Sequence, residues 1–183
     1  SGGFQVFSLG VAYGKGISKV SHGSEELSLP ESSAGGYEDE AQASIAKIAR
    51  VDASGVMFRA HDSGDAHYFT PEKSIDIQHN LGADMIFAFD ECTSPHEPIE
   101  YQKRSLDRTH RWAMESLKTH VDNADAFSKQ ALFGIVQGGR FEELRKESAK
   151  ALADMTVEVE REGGERVSAG FDGFGIGGSF AKE

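Results

Sequence analysis

Four short clusters in this chain place polar or glycine-rich chemistry at the ends of apolar runs: Ser1-Gly2-Gly3-Phe4, Asp90-Glu91-Cys92, Gln137-Gly138-Gly139 and Gly177-Gly178. If they converge, they form a pocket of particular character. Asp90 offers acceptors to an amidine-like N–H edge, and Gln137 offers both a donor and an acceptor. Bare glycine backbone lets a flat ligand come close to peptide N–H groups. Phe4 supplies a ring that could stack on such a ligand. The set suits a purine-like base read along its hydrogen-bonding edge, as proteins read flipped-out bases. Each piece is common by itself, and the plainer reading is of strands that simply end in polar loops.

The elements that must carry these residues are visible in the hydrophobic pattern. Asp84-Met85-Ile86-Phe87-Ala88-Phe89 is an apolar run that stops at Asp90 and reads as a parallel-sheet strand buried on both faces. Its carboxyl end would then deliver Asp90 and Cys92 to the sheet edge where α/β folds bind ligands. Ala131–Val136 is a second such strand, and Phe171–Ile176 a third. After Gln137-Gly138-Gly139, a stripe of Phe141, Leu144, Ser148, Ala151, Leu152 and Met155 predicts an amphipathic helix.

Between the first two strands lies a long helical stretch after Pro98, with Leu106, Trp112, Ala113 and Leu117 on its apolar side. Lys103, Arg104, Arg108 and Arg111 give it a basic side, which is either a solvated face or a phosphate-facing one. Upstream, residues 56–60 and 66–70 flank a Gly/Asp turn and predict a hairpin. Thr70-Pro71 then opens a helix carried by Ile75, Ile77 and Leu81 to a stop at Gly82. Alternating strands and helices with glycine-ended strands indicate an α/β fold, a (β/α)8 barrel or a doubly wound sheet, with the barrel favoured.

The 183 residues suffice for one domain or for part of a larger one. We read 1–183 as a single partial barrel domain with two inserted segments. Residues 8–46 are acidic and glycine-broken, as expected of a flexible insertion, and residues 156–168 form a charged, hairpin-like one. Neither end reads as a natural terminus, so the chain is expected to belong to a longer protein. A net charge of −11 argues against a chain-wide electrostatic grip on nucleic acid, though not against a local one. A single cysteine excludes an internal disulfide or a Cys-cluster metal site within the chain and fits a reducing, cytoplasmic setting. No apolar run approaches membrane-spanning length.

Six ordered motifs carry a resemblance: Ser1-Gly-Gly-Phe-Gln-Val, Phe58-Arg-Ala-His with Thr70-Pro-Glu, Ala88-Phe-Asp-Glu-Cys-Thr, Arg108-Thr-His-Arg-Trp, Phe133-Gly-Ile-Val-Gln-Gly and Phe171-Asp-Gly-Phe-Gly-Ile-Gly-Gly. Together they resemble the tRNA-guanine transglycosylases, also called queuine tRNA-ribosyltransferases. The resemblance implies an irregular (β/α)8 barrel that exchanges guanine at the tRNA wobble position for a 7-deazaguanine base, preQ1 or queuine, by double displacement through a covalent intermediate. It further implies a homodimer and a zinc ion whose ligands are not in this chain.

By motif, the resemblance implies that Asp90 binds the base's N–H edge, Cys92 lines the same pocket and Gln137 hydrogen-bonds the base. Gly177 and Gly178 would contribute backbone groups. Phe4 would stack on the ring above a turn made by Ser1, Gly2 and Gly3, and Glu183 would help recognise the incoming base. The family's acid/base aspartate would lie just before Ser1 and its nucleophilic aspartate beyond Glu183, so no catalytic residue is assigned within the chain. Ser179-Phe180-Ala181-Lys182 departs from the Leu-x-Val-Gly usual in bacterial members, which leaves the choice of base open. A non-catalytic member that binds tRNA or partners an active subunit is the alternative from another class, and a different nucleobase- or sugar-acting barrel enzyme is the third.

Overall fold

The computed structural model describes residues 21–22, 49–59, 63–95, 97–160 and 164–178. They belong to two compact units, one ending at Phe69 and one beginning at Thr70.

The first unit holds a four-stranded sheet in the order β1 (Ser21–His22), β2 (Ala49–Val51), β3 (Val56–Arg59), β4 (Ala66–Phe69). The expected hairpin is its β3–β4 pair, antiparallel with Val56 opposite Phe69. At the β2–β3 turn the Asp52 carboxylate accepts from Ser54 N–H and Gly55 N–H, a local side-chain turn, and Tyr68 Oη donates to the same oxygen at 2.8 Å.

The second unit is built on three parallel strands in the order β5 (Met85–Phe87), β6 (Ala131–Val136), β9 (Gly173–Ile176). Helix α1 (Pro71–Leu81) begins where the sequence predicts: Thr70 Oγ1 accepts from Lys73 N–H, and Pro71 occupies the first turn. It ends at Gly82, whose φ of 69° puts the chain in the left-handed region where a Cβ is unwelcome. Ile75 is buried, but Ile77 and Leu81 face outward.

The long helix α2 (Ile99–Asp122) lays Leu106, Trp112, Ala113, Leu117 and Val121 inward, as its pattern predicts. A short helix α3 (Ala124–Lys129) leads into β6, and α4 (Glu142–Ala153) follows it, burying Leu144, Ser148 and Leu152. The charged segment after α4 is a two-stranded antiparallel hairpin, β7 (Val157–Glu160) and β8 (Arg166–Ala169). One core unites these pieces, with Ile75, Ile86, Ala113, Leu117, Leu132, Val136 and Leu152 at its centre.

β5 departs from its sequence reading. It spans three residues, and only Ile86 is buried within it, Met85 and Phe87 being 63% and 37% exposed. A strand pleat sends alternate side chains to opposite faces, and the helices cover only the face that carries Ile86, Leu132 and Val136. The buried continuation, Ala88 and Phe89, comes after the strand. Ala88 N–H still bonds Phe133 O at 2.9 Å, while Phe89 N–H turns to Ser116 Oγ on α2 at 3.0 Å.

Candidate functional site

At the carboxyl ends of the parallel strands, a cavity of about 320 Å³ is lined by Phe87, Asp90, Cys92, Ile135, Gln137, Gly175, Ile176, Gly177 and Gly178. Five residues singled out in the sequence therefore meet in one place: Asp90, Cys92, Gln137, Gly177 and Gly178. Ser1, Gly2, Gly3, Phe4 and Glu183 lie outside the described residues.

Each wall has a local cause. Gln137 directly follows β6, and its backbone N–H is held by Ser148 Oγ of α4 at 3.2 Å. Its side chain turns across the strand ends and donates from Nε2 to Asp90 Oδ2 at 2.7 Å. Both groups are buried, Asp90 at 4% exposure and Gln137 at 2%. Gln137 Oε1 has no hydrogen-bond partner among the described residues and is an acceptor inside the cavity wall. Buried polar atoms are nearly always satisfied, so a small shift of the amide would let this oxygen take a donor from the cavity.

The glycines of the third strand do more than bare their backbone to a ligand. Gly173, Gly175 and Gly177 alternate along one face, where a Cβ would meet Phe133 at 2.4 Å, Phe87 at 3.0 Å and Ile135 at 2.5 Å respectively. The absent side chains make room for apolar groups leaning across from β5 and β6. At Gly177 a Cβ would also reach Gln137 Nε2 at 2.7 Å, so this glycine frees the path of the amide. The two glycine turns are tied together by Arg145 of α4, which donates to Gly139 O at 3.3 Å and to Gly177 O at 3.2 Å.

Cys92 sits between the acids and the third strand. Its thiol is pushed up to about 12 by burial first and by Asp90 and Glu91 second, against a smaller pull from the Gly178 backbone N–H. It is therefore a neutral thiol at physiological pH, without the thiolate that nucleophilic attack or metal ligation needs. Among the described residues no three His, Cys, Asp or Glu side chains stand together as a metal site. The zinc expected from the resemblance has no fitting ligand set among the described residues.

The reading of α2 needs correction at one residue. Lys103, Arg104 and Arg111 are exposed, but Arg108 turns inward and pairs with Glu91, which also accepts from Tyr101 Oη. Its charge is spent within the protein, so it is not part of a free basic face. Further side chains of the same helix hold the segment carrying Asp90: Thr109 Oγ1 accepts from Glu91 N–H at 3.1 Å, and Gln102 accepts from Thr93 Oγ1 and donates to Ser94 O, both at 2.7 Å. Sequence reasoning missed Tyr101, Gln102, Ser116 and Arg145, and it named Thr109 only within a motif and Ser148 only within an apolar stripe, with no role for either. A trace was present in the polar residues Gln102, Ser105, Thr109 and Ser116, spaced three, four and seven apart on the buried side of α2.

A parallel α/β sheet with a carboxylate, an amide and exposed glycine backbone gathered at its strand ends defines a small-ligand site in the usual crevice of such folds. Comparison with known proteins gives it a family. The family model for queuine tRNA-ribosyltransferase matches residues 29–183. A protein of Archaeoglobus fulgidus that carries the same family description is 43% identical over 182 residues, covering 100% of this chain and 39% of its own length. Queuine tRNA-ribosyltransferases of Bacillus thuringiensis and Bacillus anthracis are 48% identical over 112 residues, covering 61% of this chain and 28% of theirs. The chain belongs to the queuine tRNA-ribosyltransferase family. It spans well under half the length of the curated relatives it matches.

Proposed function

We propose that this chain carries the base-recognition part of a tRNA-guanine transglycosylase, an enzyme that exchanges guanine at the wobble position of tRNA for a 7-deazaguanine such as preQ1 or queuine. The observation that supports this best is the shared cavity of Asp90 and Gln137, joined at 2.7 Å beside Gly177 and Gly178. A guanine-like edge presents adjacent ring and exocyclic N–H groups, which a carboxylate accepts together. The Gln137 amide keeps a second N–H beside the one given to Asp90, plus its Oε1, for the rest of the ring. Phe87 and Ile135 supply apolar walls for the ring faces.

In this reading Asp90 recognises the base and is not the nucleophile. Covalent attack on the ribose and proton transfer to the leaving guanine fall to two other aspartates of the intact protein. The parallel sheet forms part of a (β/α)8 barrel, with the two insertions and the hairpin as additions to a single domain. The intact protein works as a cytoplasmic homodimer that holds a zinc ion away from the site. By motif, Ser1, Gly2, Gly3 and Phe4 also take a part in holding the base, and Glu183 a part in recognising the incoming one.

The test is guanine exchange into tRNA by the intact protein, with Asp90→Ala beside it. The variant is expected to lose base binding by roughly 1–3 kcal/mol or more, because the ligand's donors are then buried without partners. Undiminished base affinity in Asp90→Ala would contradict the assignment.

A further inference from the structure

Asp90 and Cys92 both face the cavity, and Glu91 between them points the other way, into α2. This is the alternation of an extended segment, where residues i and i+2 share one side. What holds Glu91 is unusually complete. Its two carboxylate oxygens are taken separately, one by Tyr101 Oη and the other by Arg108 Nη1. Its backbone N–H is taken by Thr109 Oγ1 at 3.1 Å. The Arg108 guanidinium in turn stands 6.0 Å from the centre of the buried Trp112 ring. Three residues within about two turns of one helix therefore anchor a single acid that does not line the cavity.

The geometry points to Glu91 and Arg108 as the positioning pair for base recognition, in a role separate from that of the residues contacting the base. Two mechanisms act together. Fixing Glu91 at three points fixes the backbone on either side of it, which sets the aim of the Asp90 carboxylate and the Cys92 thiol. Pairing Glu91 with Arg108 also keeps the second of two adjacent buried acids from standing as an uncompensated charge beside the first. A site this small tolerates little misplacement, so an anchor outside the ligand's reach decides its affinity.

This inference rests on the base-binding reading of the cavity, and the experiment separates the two. In the intact protein, the KM for guanine, the KM for tRNA, kcat and the melting temperature are measured for Arg108→Met, Arg108→Lys, Glu91→Gln, Tyr101→Phe and the double variant Glu91→Gln/Arg108→Met, with Asp90→Ala alongside. Arg108→Met and Glu91→Gln are expected to raise the guanine KM on the order of tenfold to a hundredfold, as small misplacements do, with the tRNA KM unchanged. Arg108→Lys should recover part of the loss. The double variant should be milder than Arg108→Met, because it leaves no buried carboxylate unpaired.

If Arg108→Met does not fold, Tyr101→Phe carries the test, since it removes one hydroxyl and should raise the guanine KM alone by a smaller factor. Loss of guanine binding in Asp90→Ala with wild-type guanine KM in Glu91→Gln and Tyr101→Phe would overturn the positioning role and leave the pocket reading standing. Lowered melting temperatures without a change in guanine KM would do the same. Wild-type guanine affinity in Asp90→Ala would overturn both.

Discussion

Gln137 Nε2 donates to Asp90 Oδ2 at 2.7 Å, joining the chain that leaves β6 to the chain that leaves β5 beyond the last rung of their ladder. The two strands pair only from Met85 with Ala131 to Phe87 with Phe133. The side-chain bond thus continues, at the ligand edge, a connection that the backbone has stopped making. Replacing Gln137 by Leu preserves bulk and removes the bond. Base affinity in the intact protein is expected to fall by about 1–3 kcal/mol, since Asp90 then loses a partner in a buried site. Calorimetric titration with guanine measures it, and an unchanged Kd would remove Gln137 from the site.

Gly177→Ala tests the third strand. The added methyl would lie 2.5 Å from Ile135 Cγ2 and 2.7 Å from Gln137 Nε2, distances that force both side chains, or the strand itself, to move. Overpacking of this kind costs about 1–3 kcal/mol of stability. Base affinity should fall as well, because the amide has the freer path. A stable variant with normal guanine binding would show that Gln137 need not lie where it does.

Cys92 predicts an alkaline signature. Burial, then Asp90 and Glu91, raise its pKa from 9.0 in the unfolded chain to about 12. Above pH 9 the unfolded chain gives up this proton and the folded one keeps it. The folded state then binds more protons, and stability falls as pH rises from about 9 towards 12. Cys92→Ser should flatten that decline in a melting series. Native protein should also resist iodoacetamide at pH 8 until it is denatured, and rapid alkylation of the folded form would contradict the burial argument.

His79 and His120 predict an acid signature. His79 Nε2 and His120 Nδ1 share a hydrogen bond of 2.9 Å between α1 and α2, and one proton serves it. Both pKa values are lowered by burial; His79 lowers that of His120 further, while Asp76 acts upward on His79, and Asp172 with a backbone bond to Gln130 acts upward on His120. Below pH 6.5 the unfolded chain takes up protons that the folded pair refuses, so stability falls as pH drops through that range. The melting temperature should decline from pH 7 to pH 5, and His120→Gln should shallow the slope. A pH-independent melt there would show that the pair accepts its protons while folded.

Local rules made much of this molecule legible. Thr70, Pro71 and Gly82 mark the bounds of α1 through capping and backbone preference, which act over a few residues. The apolar periods of α2 and α4 identified their buried faces, and the Gly-ended runs located β6 and β9. Asp90, Cys92, Gln137, Gly177 and Gly178 could be named in advance because each sits where an apolar run stops.

Two matters waited on the tertiary structure. Strand β5 read as buried on both sides, yet its outer face is open, since an apolar run reports only that a side chain can be buried and not what stands opposite it. Arg108 read as one of four basic residues on a helix flank, and its capture by Glu91, seventeen positions away, depends on how α2 lies against the segment after β5. Sequence by itself determined the period of each element and most of the residues on the buried faces of α2 and α4, because chain geometry repeats over two or four residues. Which of them meet was decided only by packing, because the spacing of Gln102, Thr109 and Ser116 marks a polar buried stripe on α2 but does not say which groups of the segment after β5 it will hold.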